Sequence, residues 1–212
     1  MPVQNAIEGR RLAAQRGYAR LFEGIGFSLQ PGEALVVSGP NGSGKTTLLR
    51  IVAGLTAPAD GEVRWQGEPT SAFDGRLREA VAFNGHMAAL KDELTAEENL
   101  DAWTALNGPR APRESLAAAL DAVALRTRRR LPVRVLSQGQ RRRVGLARLA
   151  LVRRPLWILD EPLTALDAVG ANMLGALLDA HLAQGGLCVA ASHQPLPVAP
   201  QRVRRLELGA PA

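Results

Sequence analysis

Lysine is almost missing from this 212-residue chain: of 26 basic residues, only Lys45 and Lys91 are lysines. A compact ammonium on a flexible stem fits between phosphate oxygens where a planar guanidinium does not, which gives a geometric reason for lysine to persist at chosen sites. A single cysteine, Cys188, excludes a disulfide framework and any Cys-based metal spacing. Within the apolar run Leu187-Cys188-Val189-Ala190-Ala191 it reads as a buried strand residue. Aromatic residues make up 4% of the chain and none lies between Trp103 and Trp157, so there is no interleaved stacking platform for single-stranded nucleic acid. No apolar run approaches the ~18 residues that span a bilayer. The N-terminal residues also lack the charged-then-apolar layout of a signal peptide. The expectation is a soluble or peripheral protein, with a core large enough for one domain and an inserted lobe.

Acidic residues are missing from one long stretch. Between Arg126 and Arg154 lie eleven arginines and no acid, against a net charge of +6 for the whole chain. Such a block suits either a solvated face or a membrane-proximal one, and nucleic acid is the weaker partner for it.

Residues 39–46 read Gly39-Pro40-Asn41-Gly42-Ser43-Gly44-Lys45-Thr46, a full G-x-x-x-x-G-K-T phosphate-binding loop. Glycines at 39, 42 and 44 let successive backbone N–H groups point inward without Cβ atoms in the way. The loop follows the apolar run Ala34–Val37 and precedes the apolar-periodic Thr47–Ala53. It therefore joins a buried strand to a helix whose positive dipole end faces the phosphates. Lys45 reaches the β- and γ-phosphates in this reading, and Thr46 offers its hydroxyl to Mg²⁺.

The pattern elsewhere alternates strands with helices, which argues for a parallel α/β sheet. The stretch to about Gly32 reads as antiparallel strands, and Glu62–Gly67 as another strand after the turn Pro58–Gly61. Val81–Asn84 reads as a short buried strand. Thr95-Ala96-Glu97-Glu98 is a capping box that opens a helix through about Leu106, and Pro112 to about Leu125 forms a second. Residues 88–154 are expected to form a helical lobe inserted in a core of 1–87 and 155–212. A strand at Leu156–Asp160, a helix from about Asp167 to Ala183, a strand at Leu187–Ala191 and a final segment near Val203–Leu208 complete the chain. His181, on that last helix, reads as solvated.

Leu156-Trp157-Ile158-Leu159-Asp160-Glu161 is an apolar strand ending in two carboxylates. Beside a phosphate loop, Asp160 is placed to hold Mg²⁺, directly or through water, and Glu161 to polarise an attacking water. Leu136-Ser137-Gln138-Gly139-Gln140 carries an S-x-x-Q capping box at Ser137 and Gln140. The same helix start, with the serine hydroxyl and the Gly139 N–H, makes an anion site for a γ-phosphate.

At this point the chain resembles the ATP-binding cassette family, whose signature is L-S-G-G-Q; here Gln138 replaces the first glycine. The resemblance covers nearly the whole chain, with the motifs in the family's order. It implies an α/β P-loop ATPase with a mainly parallel core sheet, an N-terminal antiparallel β region and an inserted helical lobe. Its cofactors would be ATP and Mg²⁺. The phosphate loop and Thr47 would bind one nucleotide, while Ser137, Gly139 and Gln140 face that of a second copy in a head-to-tail dimer. Ala165-Leu166-Asp167 looks like the loop that contacts the opposite subunit, and His193 like the switch histidine after the last core strand. Two positions depart from the family: His86 stands where a glutamine is usual, and Arg16, with Tyr18 nearby, stands where an aromatic stacks on adenine.

The phrases Gly85-His86, Leu90-Lys91, Leu94-Thr95-Ala96 and Glu98-Asn99-Leu100 look like those of the cytochrome c maturation, or haem exporter, ATPases. Trp65-Gln66-Gly67 and Ser192-His193-Gln194-Pro195-Leu196 extend the similarity. That resemblance implies a peripheral ATPase on the cytoplasmic side of a bacterial inner membrane. It would power separate membrane-spanning subunits, with haem handled by those partners rather than by this chain. ATPases of other exporters share every nucleotide motif, and non-transport cassettes acting on nucleic acid remain the more distant alternative.

Overall fold

The computed structural model describes residues 6–85 and 89–209. These divide into two compact units: Met1–Gly85, Arg154–Pro162 and Leu178–Ala212 form one, and His86–Arg153 with Leu163–Leu177 the other.

The first unit holds two sheets. β1 (Ile7–Arg16) and β2 (Ala19–Leu29) pair antiparallel as a long hairpin, and β4 (Asp60–Trp65) and β5 (Glu68–Thr70) extend it in the order β2-β1-β4-β5. The second sheet takes β3 (Ala34–Ser38), β6 (Val81–Asn84), β7 (Leu156–Asp160), β8 (Leu187–Ala191) and β9 (Val203–Glu207) in the order β6-β7-β8-β3-β9. Every pair in it is parallel. β7 and β8 are buried at all five positions, as expected of strands covered on both faces. β6, by contrast, lies at the sheet edge and alternates between half-buried and buried.

α1 (Lys45–Val52) follows β3, and α2 (Gly75–Ala80) leads into β6. Asp74 caps α2, its carboxylate accepting from the Arg76 and Leu77 amides. Leu48, Leu49, Val52, Leu156, Ile158, Leu187 and Val189 are among the side chains that close the core, each below 1% exposed. Burying each such side chain is worth roughly 1.5–3 kcal/mol.

The second unit is helical, with α3 (Ala96–Asn107), α4 (Arg113–Ala122), α5 (Gln138–Leu151) and the first part of α6 (Ala168–Ala183). Both expected capping boxes form: Thr95 with Glu98 opens α3, and Ser137 with Gln140 opens α5. The loop before α3 is stapled by buried Asn99. Its amide oxygen accepts from the Lys91 N–H at 2.8 Å, and its amide nitrogen donates to the Lys91 and Thr95 carbonyls at 3.0 and 2.9 Å. Arg148 lies over Trp103, 5.7 Å from the ring centroid, and donates to the Ala89 carbonyl at 3.1 Å. Burial pushes its guanidinium down to about 10.

The arginine block is thus not one surface. Arg126, Arg129, Arg141 and Arg143 pair with Asp121, Glu97, Asp92 and Asp167. Arg154 donates to the carbonyls of Arg78 and Val81. Arg128, Arg130, Arg134 and Arg153 are exposed and make no salt bridge among the described residues.

His181 is not the solvated residue its helical setting suggested. Its ring stacks on Trp157, with centroids 3.9 Å apart and 7° between planes, and its Nε2 lies 3.1 Å from the Leu187 carbonyl. Burial lowers its pKa, while hydrogen bonds to the Leu187 and Pro155 carbonyls oppose that shift. With the folded value depressed, the unfolded chain takes up a proton that the folded one refuses, so stability is fully present above the unfolded value near 6.5 and is lost as pH falls from there through the lower folded value. His181→Phe, which keeps a ring against Trp157 but cannot titrate, is expected to shrink the fall in urea midpoint between pH 7.5 and 5.5 relative to the parent.

Candidate functional site

The phosphate loop leaves the end of β3 and enters α1 through two glycines at positive φ. Gly39 has φ +137°, and a Cβ there would lie 2.4 Å from the Leu208 carbonyl oxygen. Gly44, the N-cap of α1, has φ +95°, and a Cβ there would lie 2.9 Å from the Phe22 ring. Each position therefore excludes any side chain on two grounds, conformation and space. Lys45 is buried, and its ammonium donates to the carbonyls of Gly39 at 2.7 Å and Pro40 at 3.1 Å. Those bonds use two of three donors and hold the charge at the mouth of the loop, with one N–H to spare for a phosphate oxygen. The Ser43 hydroxyl oxygen is buried without a hydrogen-bond partner among the described residues. Gly42 and Asn41 are exposed on the loop, and Thr47 sits in the first turn of α1.

The carboxylates arrive on β7. Asp160 is 4% exposed, and its Oδ2 accepts a 2.9 Å hydrogen bond from the Thr46 hydroxyl. Two hard oxygen donors thus stand side by side at the start of α1, the donor chemistry that a small divalent cation selects. Glu161 adopts φ +49°, a left-handed conformation that costs a non-glycine residue about 1–3 kcal/mol and occurs most often at functional sites. Its N–H bonds the Ala191 carbonyl at 2.9 Å, which fixes the turn.

Ala191 ends β8, beside Asp160 in register, so the residues after both strands emerge together. Ser192, 3% exposed, donates to the Gln194 carbonyl at 2.7 Å and accepts its N–H at 3.1 Å, which closes the turn carrying His193. His193 Nε2 comes to 3.5 Å from Glu161 Oε1, with the imidazole half exposed and the carboxylate mostly covered. A carboxylate and an imidazole in contact at the strand ends, beside a phosphate loop, can orient water and sense a γ-phosphate.

Lys45, Thr46, Asp160, Glu161 and His193 are therefore gathered in the first unit by β3, β7 and β8. Ser137, Gly139 and Gln140 lie at the start of α5 in the helical unit. There the Gln140 amide accepts from the Ser137 N–H at 3.0 Å, and the Ser137 hydroxyl accepts from the Gln140 N–H at 3.2 Å. Arg16 ends β1 beside the Gly17-Tyr18 turn, and both Arg16 and Tyr18 are exposed. His86 falls outside the described residues. Sequence reasoning passed over Ser192, although Ser-His-Gln-Pro after an apolar strand carries the signal of a hydroxyl-closed turn. It also assigned no role to Asn99, whose partners Lys91 and Thr95 are nearby in the chain, or to Arg148, whose partners Trp103 and Ala89 are distant in sequence.

A strand-end phosphate loop, a carboxylate pair and a separate signature helix define a nucleotide-hydrolysing cassette, and the chain belongs to the ABC transporter family, whose profile matches residues 22–164. The cytochrome c biogenesis ATP-binding export protein CcmA of Nitrosomonas europaea is 46% identical over 95% of both chains. That of Pseudomonas aeruginosa is 50% identical over 90% of this chain and 94% of its own. Within the family, the chain is a CcmA-type ABC ATPase, an ATP-binding and ATP-hydrolysing subunit. Among solved structures, a putative ABC transporter ATP-binding protein from Pyrococcus furiosus superposes with a TM-score of 0.81 at 25% identity, covering 96% of this chain and 97% of that one. A dimeric ATP-binding cassette in a post-hydrolysis state bound to ADP and Pi shares the fold with a TM-score of 0.78 at 24% identity, over 96% of this chain and 97% of its own. No described helix is long and apolar enough to cross a membrane.

Lys45→Arg tests the fit of the loop. The buried ammonium bonds two carbonyls that a planar fork cannot reach in the same space, so nucleotide affinity, read by titration with a fluorescent ATP analogue, is expected to fall at least tenfold.

Proposed function

We propose that this chain is the ATPase of an export complex for cytochrome c biogenesis, binding MgATP between two copies of itself and driving separate membrane-spanning subunits. The gathering of Lys45, Thr46, Asp160, Glu161 and His193 past the carboxyl ends of β3, β7 and β8 supports the hydrolytic part. Relatives of 46–50% identity along nearly the whole length, named for cytochrome c biogenesis, support the pathway. Haem in this reading is handled by the partner subunits, and the chain works peripherally at the cytoplasmic face of the inner membrane.

Each residue has a role in that reading. Lys45 and the loop amides neutralise and orient the β- and γ-phosphates. Thr46 and Asp160 would hold Mg²⁺, which when bound polarises the phosphoryl oxygens. Glu161 orients and deprotonates the attacking water, with its backbone pinned to β8 at the Ala191 carbonyl. His193 contacts the γ-phosphate and holds Glu161 in place. Ser137, Gly139 and Gln140 supply a helix-terminal anion site to the nucleotide of the facing copy. The chain therefore completes its catalytic site only as a head-to-tail pair. His86, which lies outside the described residues, would serve in this reading as the contact through which nucleotide state reaches the membrane partner. Arg16 and Tyr18 are the candidates to stack on adenine.

Pairing makes ATP a ligand of the closed dimer, and hydrolysis releases the pair. Glu161→Gln is expected to lower turnover below about 1% of the parent rate, as loss of a general base commonly costs 10²–10⁴-fold, while ATP is retained and an ATP-dependent dimer accumulates in light scattering. The pathway is tested in cells lacking the parent gene. Complementation with Lys45→Ala is expected to leave haem-stained c-type cytochromes absent and b-type cytochromes unchanged; restored c-type cytochromes would count against the assignment.

A further inference from the structure

The turn that follows the carboxylate pair is fastened to the signature helix. Ala165 adopts φ +63°, a left-handed conformation that alanine avoids unless its surroundings require it. In that conformation its carbonyl is directed at the start of α5: a Cβ added at Gly139 would lie 2.8 Å from the Ala165 oxygen, closer than any real Cβ contact allows. Two residues later, the Asp167 carboxylate accepts from the Gly170 N–H at 2.9 Å and from the guanidinium of Arg143, which projects from α5 about one turn beyond Gly139. The Gly170 amide and the Arg143 guanidinium hold the Asp167 carboxyl below the usual carboxylate range. Gly170 packs closely against the pair: a Cβ there would lie 3.1 Å from Leu166 Cδ2 and 3.2 Å from both Arg143 Nε and Asp167 Oδ1, so a side chain would press on the clamp. Arg143 is 14% exposed at its side chain, so the clamp is covered on the α5 side.

We propose that Arg143 and Asp167 are positioning residues that lock the Leu163–Asp167 turn onto the start of α5, so that Ser137–Gln140 is preformed as an anion site before any second copy arrives. Glycine at 139 is required by the Ala165 carbonyl of the same chain, independently of how closely a phosphate approaches. The clamp touches no nucleotide of its own copy; its effect is felt by the nucleotide of the facing one. This deepens the two-copy reading given above and rests on it for its catalytic consequence. The geometry of the clamp itself belongs to a single chain.

The test uses the full-length protein carrying Glu161→Gln, with Asp167→Ala, Asp167→Asn and Arg143→Lys added singly. In nucleotide-free protein, amide hydrogen exchange over residues 138–141 is expected to speed at least fivefold in Asp167→Ala. The Asn and Lys variants, which keep an acceptor or a donor, are expected to stay nearer the parent. The ATP concentration for half-maximal dimerisation is expected to rise at least tenfold in Asp167→Ala, with ATP affinity of the monomer within twofold of the parent. A merely structural role would instead lower both affinities together. Unchanged exchange over 138–141 overturns the clamp, as does a parallel loss of monomer affinity. If the Glu161→Gln parent itself fails to dimerise with ATP, the two-copy reading falls, and exchange still decides the clamp.

Discussion

The parallel pairing of β7, β8 and β3 is the constraint from which the catalytic arrangement follows. Asp160 lies beside Ala191, and Ala191 beside Val37, so three chain segments leave the sheet at one level. Backbone hydrogen bonds continue past the strands: the Glu161 N–H reaches Ala191 and the Ser192 N–H reaches Val37. A slip of one residue in any pair would exchange side chains between the two covered faces of the sheet and displace its strand ends, so the packing that stabilises the fold also sets the positions of the reacting groups. Side chains separated by more than a hundred positions, such as Thr46 and Asp160, meet at hydrogen-bond distance for that reason.

The helical unit obeys a different logic. Its helices are short, and its loops are tied down by side chains with several donors or acceptors: Asn99 holds both sides of Lys91, Arg148 bridges Trp103 and Ala89, and Arg143 grips Asp167. Guanidinium suits this work because it can stack and donate in one plane while staying charged. Part of what composition presents as a basic block is therefore tied into the unit, and exposed charge remains at Arg126, Arg128, Arg130, Arg134 and Arg153.

Legibility in the sequence followed the range of the interactions. The phosphate loop, both capping boxes and the all-apolar strands were readable because each is set by neighbours within a few residues: Ser137 and Gln140 bond each other, and Gly44 must start α1 whatever surrounds it. The α2 helix and β5 were not read, since a six-residue helix and a three-residue edge strand give too little periodicity to register. His181 was misread because its partner, Trp157, lies on another element, and periodicity does not reveal a stack. The left-handed Ala165 and its carbonyl contact at Gly139 are likewise invisible from the chain, because a signature glycine already has a ready local explanation in its helix start.

Cys188 sits at the centre of the parallel sheet, between β7 and β3, with no exposed surface, and burial pushes its thiol up to about 12. At neutral pH it therefore carries essentially no thiolate, the form that exchanges with disulfides, captures metals or yields to peroxide. The chain thus keeps its one sulfhydryl out of thiol chemistry. The redox state of its surroundings therefore has no handle on the protein through this residue.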